Sequence, residues 1–356
     1  MASGKVSHRF FLQSIARSLG ASRREVQVGP RHGVDVGVIR LSRQRSLLLT
    51  TDPLCLIPSF GWEGAARYAF HVLSNDLTTT GVAPQYLSVD WNLPVEMSER
   101  DMETVLRALH DECRRFGTAV VAGHTGRYPG VSFPMVGGAT LFSVAKPGTF
   151  VTSADACPGS RVLLTRTAAL ETAVTVAHLH PHETEELLGI YTTRSLRRRL
   201  EELSSSPEAL TAARVAGLGP RGVSAMHDVA EGGIVGALVE MSGASRLDLE
   251  VDLSQVPVEP EVGELCSRFG ADPLTSMGQG SLLLAVHSKQ VAAVVHALER
   301  HRLPVTDLGR FGPRARADPR VRDRGRSVSA PTVDGLTIIS LGLERGKGGR
   351  SRPRTR

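Results

Sequence analysis

Leu87, Val89, Trp91 and Leu93 alternate with Ser88, Asp90 and Asn92. A period of two over residues 86–93 predicts a strand with one face in a core and the other against water or a partner. The same reading parses most of the first half. Phe11, Ile15 and Leu19, four apart, predict an amphipathic helix over 8–19 closed by Gly20. Strand-like runs follow around 34–41 and 46–52, and 62–77 reads as a helix ending before Gly81. Ser98 with Asp101 resembles a capping box. It opens a helix whose core stripe is Met102, Val105, Leu106, Leu109, Cys113 and Phe116, stopped by Gly117. Residues 118–122 read as a buried strand running into Gly123-His124-Thr125-Gly126, and 131–145 as another strand.

A small, polar stretch at 154–160, with Pro158-Gly159, marks a domain boundary. Beyond it come a strand at 161–165, a helix from about 170, an Arg/Glu-rich helix over about 186–203 and a helix start at Ser206-Pro207. Strands are expected near 223–227, 247–252 and 281–286, with helices at 232–242, 260–268 and 289–300. The division is an N-terminal helix (1–24), two domains (25–153 and 154–312) and a basic tail (313–356). The tail has an apolar island at 336–343, and its last dozen residues are expected to be disordered. Without strict βαβ alternation the fold class is α+β, in two domains.

Composition narrows the function. The 356 residues are 41% apolar and 22% charged, enough for two cores. Residues 310–356 hold 13 Lys/Arg and 4 Asp/Glu, a net of +9; the whole chain is +6, so 1–309 carry −3. A nucleic-acid protein carries its positive charge on the folded surface, and this body is acidic, so nucleic acid is not the expected partner. Cys55, Cys113, Cys157 and Cys266 form no CxxC pair, which argues against a zinc site or a disulfide framework. No apolar run reaches the length of a membrane span or a secretion signal, so a cytoplasmic protein is expected.

Four aspartates change the picture: Asp35 in Gly33-Val-Asp-Val-Gly, Asp52 after Leu47-Leu-Leu-Leu-Thr-Thr, Asp76 in Ser74-Asn75-Asp76, and Asp228 in Met226-His-Asp-Val-Ala-Glu-Gly-Gly233. Each ends an apolar or glycine-bounded run, and carboxylates are rarely buried without a partner. A shared hard cation explains them together, and magnesium generally arrives with a phosphate. Asp76, near a helix C-terminus, opposes the macrodipole unless a cation sits beside it. Around 224–243 a short strand delivers His227-Asp228, and Glu231-Gly232-Gly233 opens an apolar helix whose free N–H groups suit phosphate oxygens. A simple N-cap accounts for Asp228 alone but not for the whole run. The Gly123-His124-Thr125 loop offers backbone amides to an anion, or is an ordinary turn. His178, His180 and His182 read as a surface cluster, because helical patterning nearby argues against a metal site on a strand. There is no GxxxxGK[ST] phosphate loop, and Gly232-Gly233-Ile-Val-Gly236 lacks dinucleotide-fingerprint spacing.

In order along residues 25–312, these segments resemble the AIR synthase-like, or PurM-like, superfamily. Val28-Gly29 with Gly33-Val-Asp35-Val-Gly-Val-Ile39 resembles its G-D-D-A-A-V entry, and Thr51-Asp52-Pro53 its S-T-D-P. Asn75-Asp76-Leu-Thr-Thr-Thr-Gly81-Val-Ala-Pro84 is similar to its N-D-(I/L)-A-x-x-G-A-x-P, and Gly123-His-Thr125 to its G-G-H-T. Thr165-Arg-Thr with Glu171-Thr-Ala173, Met226–Gly233 and Gly280-Ser-Leu-Leu-Leu-Ala-Val286 match the second domain's motifs. Within the superfamily the chain looks closest to the hydrogenase-maturation HypE proteins.

The resemblance implies a homodimer whose N-terminal domains pair into a β-barrel, a C-terminal α+β sandwich, and ATP with Mg2+ between domains. It implies transfer of the γ-phosphoryl group to an amide, carbamoyl or similar oxygen, activating it, and a protein partner in metalloenzyme maturation. Asp35, Asp52, Asp76 and Asp228 would hold metal. Asn75, Gly123, His124, Thr125, Gly232 and Gly233 would meet ATP, and Asp228 and Glu231 would be catalytic. Three departures stand out: Val34 where relatives often have an acid, Gly126 where many have Glu, and Arg352-Pro-Arg-Thr-Arg356 where HypE carries the C-terminal cysteine it modifies. The alternatives are a small-molecule kinase of the thiamine-monophosphate kinase type and a non-catalytic ATP-binding partner.

Overall fold

The computed structural model describes residues 8–315 and 318–340, together with 6 and 342. Each half of the chain is one sheet with helices against it. The first half runs α1 (His8–Gln13), β1 (Val26–Val28), β2 (Gly37–Arg40), β3 (Ser46–Cys55), α2 (Trp62–Thr78), β4 (Tyr86–Leu93), α3 (Glu99–Phe116), β5 (Ala119–Arg127) and β6 (Met135–Ala145). Its sheet has the order β1-β2-β3-β6-β4-β5. Every neighbouring pair is antiparallel except β4–β5, which α3 connects as a crossover.

Alternation places Leu87, Val89, Trp91 and Leu93 in a core with Leu48 and Leu141 below Phe70 and Leu73 of α2 and Val105 and Leu109 of α3. Ser98 caps α3 by accepting from Asp101 N at 3.1 Å, and Gly117, at φ 73°, ends it in the left-handed conformation. The opposite face of the sheet, which bears Thr51, Asp90 and His124, has no helix of the described residues over it. The Tyr86 and Phe142 rings lie tilted against each other there, their centroids 5.3 Å apart.

The second half runs β7 (Arg161–Thr165), α4 (Leu170–Leu179), α5 (Pro181–Leu188), α6 (Ile190–Arg197), α7 (Ser206–Ala216), β8 (Val223–Asp228), α8 (Gly233–Ser245), β9 (Leu247–Val251), α9 (Pro260–Arg268), β10 (Leu282–Val286), α10 (Val291–Glu299), β11 (Val305–Arg314), β12 (Val321–Asp323) and β13 (Arg326–Val328). The sheet order is β13-β12-β9-β11-β7-β10-β8. Both faces of β10 are buried. Leu283 and Ala285 join Leu238 and Met241 of α8, while Leu282 and Leu284 join Ala209 of α7 and Leu298 of α10. That double burial explains the unbroken apolar run in the sequence.

Several expectations change. The helix over 8–19 breaks after Gln13, and Phe10, Leu12, Ile15 and Leu19 are exposed. The strand after Gly117 is an exposed edge strand, not a buried one, because no further strand pairs beyond it. Leu106, assigned to the α3 core stripe, is 45% exposed. Gly189, at φ 82°, splits the Arg/Glu-rich helix into α5 and α6, followed by a 3-10 turn over Arg198–Leu203. Part of the segment assigned to a basic tail folds: β12 and β13 extend the second sheet, and Ile339 is buried against α4 and α9. The last dozen residues lie outside the described residues. The first sheet is open in the single chain, so a closed barrel is not present in it.

Candidate functional site

The two halves meet where α2 of the first faces α4, β8 and the 276–280 loop of the second. Asp76 lies near the end of α2, buried, and Thr50 Oγ1 on β3 donates to its Oδ2 at 3.1 Å. Burial pushes the Asp76 carboxyl well above the usual range, and the charges of Asp228, Asp35 and Asp52 push it further. The four aspartates singled out in the sequence therefore converge on one place, although 193 positions separate the first from the last.

Asp35 is brought in by a pinned loop. Gly33 has φ 74°, and a Cβ there would lie 2.5 Å from Glu240 O on α8. Ser153 Oγ also donates to Gly33 O at 2.5 Å. Only glycine permits that approach. The loop thereby sets Asp35 Oδ2 3.7 Å from His227 Nε2. The His227 ring, buried, stands 3.2 Å from Glu240 Oε2 and 3.7 Å from Asp228 Oδ1. Burial alone lowers an imidazole, but Asp228, Glu240 and Asp35 around His227 hold it well above its ordinary value. Ligand atoms of Asp35, His227 and Asp228 all lie within 4.8 Å of one another.

Asp35 and Asp228 bring ligand atoms together beside the His227 ring, and Asp52 and Asp76 adjoin them by charge, so the donors are mainly carboxylate oxygens. Hard oxygen donors with mutual repulsion suit a divalent cation of the magnesium type, so the residues present fit the ion that the sequence implies.

A second layer supports this one. Gln279, at 3% exposure, donates from Nε2 to Asp228 Oδ2 at 3.0 Å. Glu171, in the first turn of α4, accepts from Gln279 N at 3.1 Å and from the Tyr68 hydroxyl at 2.5 Å. Burial pushes Glu171 up to about 7, against the lowering effect of those two hydrogen bonds. Neither Gln279 nor the supporting role of Glu171 is legible in the sequence. The one local signal is that Gln279 stands between Gly278 and Gly280.

The remaining expected site residues are placed differently. Asn75 is fully buried, and its amide is used within the protein: Nδ2 donates to Leu203 O and Gln279 Oε1, and Oδ1 accepts from Ser205 N. At the start of α8, Gly232 N donates to Asp334 Oδ2 at 2.8 Å and Gly233 N to Ala230 O at 3.1 Å. The N–H groups expected to face phosphate are thus occupied, one of them by a carboxylate from the segment read as tail. Glu231 is half-buried in the turn between β8 and α8.

Gly123, His124 and Thr125 lie on β5, not in a loop. The register runs Asp52–Ala139–Val89–Gly123. Three strand spacings put this segment about 14 Å from Asp52, outside the aspartate cluster of its own chain. His124 Nε2 instead lies 2.6 Å from the Tyr128 hydroxyl. A Cβ at Gly126 would meet the outer end of the exposed Tyr128 side chain at 2.6 Å. Val34 is buried.

The histidines at 178–182 are not a surface cluster. His178 is buried on α4, with Ser59 O and Arg197 O each 3.0 Å from a ring nitrogen. Burial lowers its pKa, against the raising effect of those two carbonyls. His182 is exposed on α5.

The order of the motifs agrees with that of two known family domains. The model of the AIR synthase related protein N-terminal domain matches residues 33–152, and that of the C-terminal domain matches 157–322. The chain is 26% identical over 268 residues to a carbamoyl dehydratase HypE from Rhizobium leguminosarum bv. viciae, covering 72% of this chain and 70% of that protein. Among solved structures it is similar to HypE in complex with ATP, with TM-score 0.60, 19% identity, and coverage of 95% and 97% of the two chains. AaThiL complexed with AMPPCP and TMP matches at TM-score 0.66 and 19% identity, covering 92% and 98%.

Proposed function

This chain belongs to the AIR synthase related family, and from that premise we propose that it binds ATP with magnesium where its two halves meet and phosphorylates an amide-, carbamoyl- or similar oxygen. The observation that carries this reading is the convergence of Asp35, Asp52, Asp76 and Asp228. The carbamoyl dehydratase relative and the ATP-bound HypE fold support it.

Asp35, Asp52, Asp76 and Asp228 would hold Mg2+, with His227 and Glu240 fixing the Asp35–Asp228 side. Bound there, the ion would neutralise phosphate charge during transfer. The chain's own part is chiefly positioning and charge control. A cavity of about 350 Å3 opens beside Asp35, with Val26, Val28, Ile39 and Leu49 among its walls. Those apolar walls suit a nucleoside base, with the phosphates directed to the aspartates. Glu231, in the turn after β8, would be the base that takes an N–H proton from an amide or carbamoyl acceptor as its oxygen attacks phosphorus. Transfer breaks the bond from the γ-phosphorus to its bridging oxygen and forms one to the acceptor oxygen, leaving ADP. With an amide or carbamoyl acceptor, loss of its remaining N–H proton to solvent then forms the second C–N π bond as the C–O bond breaks, and the oxygen leaves as phosphate.

A homodimer fits the exterior of the first half. Its helix-free sheet face and the β5 edge, with Val120 and Val121 exposed, suit a second copy of this chain completing a barrel. A further protein delivering the acceptor belongs to the same proposal. No helix of the described residues is long and apolar enough to cross a membrane.

Calorimetry tests the reading. Asp76→Ala is expected to abolish Mg2+-dependent ATP binding, and a folded variant that binds unchanged overturns it. Phosphorus NMR of ATP turnover against carbamoyl, amide and phosphate acceptors identifies the chemistry, a phosphate acceptor favouring the kinase alternative. Light scattering that finds only monomer overturns the dimer.

A further inference from the structure

Gln279 is not among the residues proposed to hold the ion or the nucleotide, yet it joins both halves of the site. Its Oε1 accepts from Asn75 Nδ2 at 2.5 Å, and its Nε2 donates to Asp228 Oδ2 at 3.0 Å. The direction of these bonds is fixed from the backbone outward. Asn75 Nδ2 donates to Leu203 O at 2.8 Å, and Asn75 Oδ1 accepts from Ser205 N at 2.7 Å. A backbone carbonyl cannot donate and a backbone N–H cannot accept, so the Asn75 amide has one orientation. It presents an N–H to Gln279, which answers with its oxygen. The Gln279 amide nitrogen is then left facing Asp228, and a carboxylate can only accept it.

The loop that bears Gln279 is also fixed. Glu171 Oε2 accepts from its backbone N–H. Gly280 has φ 98°, and a Cβ there would lie 2.2 Å from Glu202 O.

We propose that Gln279 is a positioning residue, a donor relay from the 203–205 backbone through Asn75 that sets the Asp228 carboxylate relative to Asp76, the neighbour of Asn75 on α2. The inference rests on the magnesium–nucleotide reading. Its content is that the span between metal ligands of the two halves is set by an uncharged amide pair. Outer partners of this kind control metal affinity by orienting the ligand.

The test uses Mn2+ as probe, with a non-hydrolysable ATP analogue and the full chain, and free Mn2+ is counted by electron paramagnetic resonance. Gln279→Met keeps the length of the side chain and removes the amide. It is expected to weaken Mn2+ binding by about 10–100-fold while the metal-free protein still unfolds cooperatively. A residue that only fills space would leave Mn2+ affinity unchanged in the folded variant, and that result overturns the proposal. Should Gln279→Met fail to unfold cooperatively, Asn75→Ala removes the amide that orients Gln279 without replacing any group in contact with Asp228. A fall in Mn2+ affinity there supports the relay, and an unchanged affinity overturns it. Failure of the unaltered chain to bind Mn2+ with nucleotide is a different result, which overturns the magnesium reading itself.

Discussion

The Tyr68 hydroxyl on α2 donates to Glu171 Oε1 on α4 at 2.5 Å, so a phenol of one half holds a buried carboxylate at a helix start in the other. Glu171 is pushed up to about 7 by burial. An unfolded glutamate titrates near 4.5, so between about 4.5 and 7 the folded chain binds more protons than the unfolded one. This contribution to stability is full below the window and lost as pH rises through it. Glu171→Gln is expected to flatten that dependence, by about 2–3 kcal/mol across the window. Urea midpoints of metal-free protein at pH 5 and pH 8 measure it; equal slopes for both proteins would count against it.

Asp76 is raised by burial and then by Asp228, Asp35 and Asp52. Relieving that repulsion without changing shape, Asp76→Asn is expected to stabilise the metal-free protein by about 1–2 kcal/mol. The same change removes the rise in melting temperature that Mg2+ with nucleotide gives the unaltered chain. A variant still stabilised by Mg2+ with nucleotide would show that Asp76 is no ligand.

Asp334 accepts from Gly232 N at 2.8 Å and Leu336 N at 2.7 Å, capping the start of α8. Asp334→Ala is expected to cost about 1–3 kcal/mol, read as a lower urea midpoint. No change would mean that the Asp334 cap contributes nothing to the second half.

Gly280 takes φ 98° with backbone 2.2 Å from where a Cβ would stand. Gly280→Ala is expected to destabilise by about 2 kcal/mol or more. Because it displaces Gln279, it should also lower Mg2+-dependent nucleotide affinity. Thermal melting with and without Mg2+ separates the two effects.

Arg246 ends α8 at φ 59° and is exposed. A side chain in that region carries a steric cost that glycine avoids. Arg246→Gly is therefore expected to raise stability by about 1 kcal/mol, measured as a higher urea midpoint with an unchanged slope.

Much of this was legible locally. The alternation along β4 and the Ser98–Gly117 bounds of α3 follow from periods and caps that span a few residues. The four aspartates were legible too, because a carboxylate ending an apolar run is chemically conspicuous. The exposed β5 was not, since burial of a strand depends on which strand lies beside it. Gln279, Glu171 and Asp334 were missed for a related reason. Each acts on a residue 51 to 108 positions away, and nothing in a glutamine between two glycines states whose carboxylate it will face.

The sequence alone determined most of the elements, the α+β class and the side chains able to hold a cation, because propensity, periodicity and ionisable chemistry are properties of short stretches. The tertiary structure decided which of them meet. It joined Asp35, Asp52, Asp76 and Asp228, kept Gly123–Thr125 apart, and filled the α8 start with Asp334. Those outcomes depend on strand order and on the close approach of backbones at Gly33 and Gly280, and steric fit between distant segments is fixed only when the chain packs.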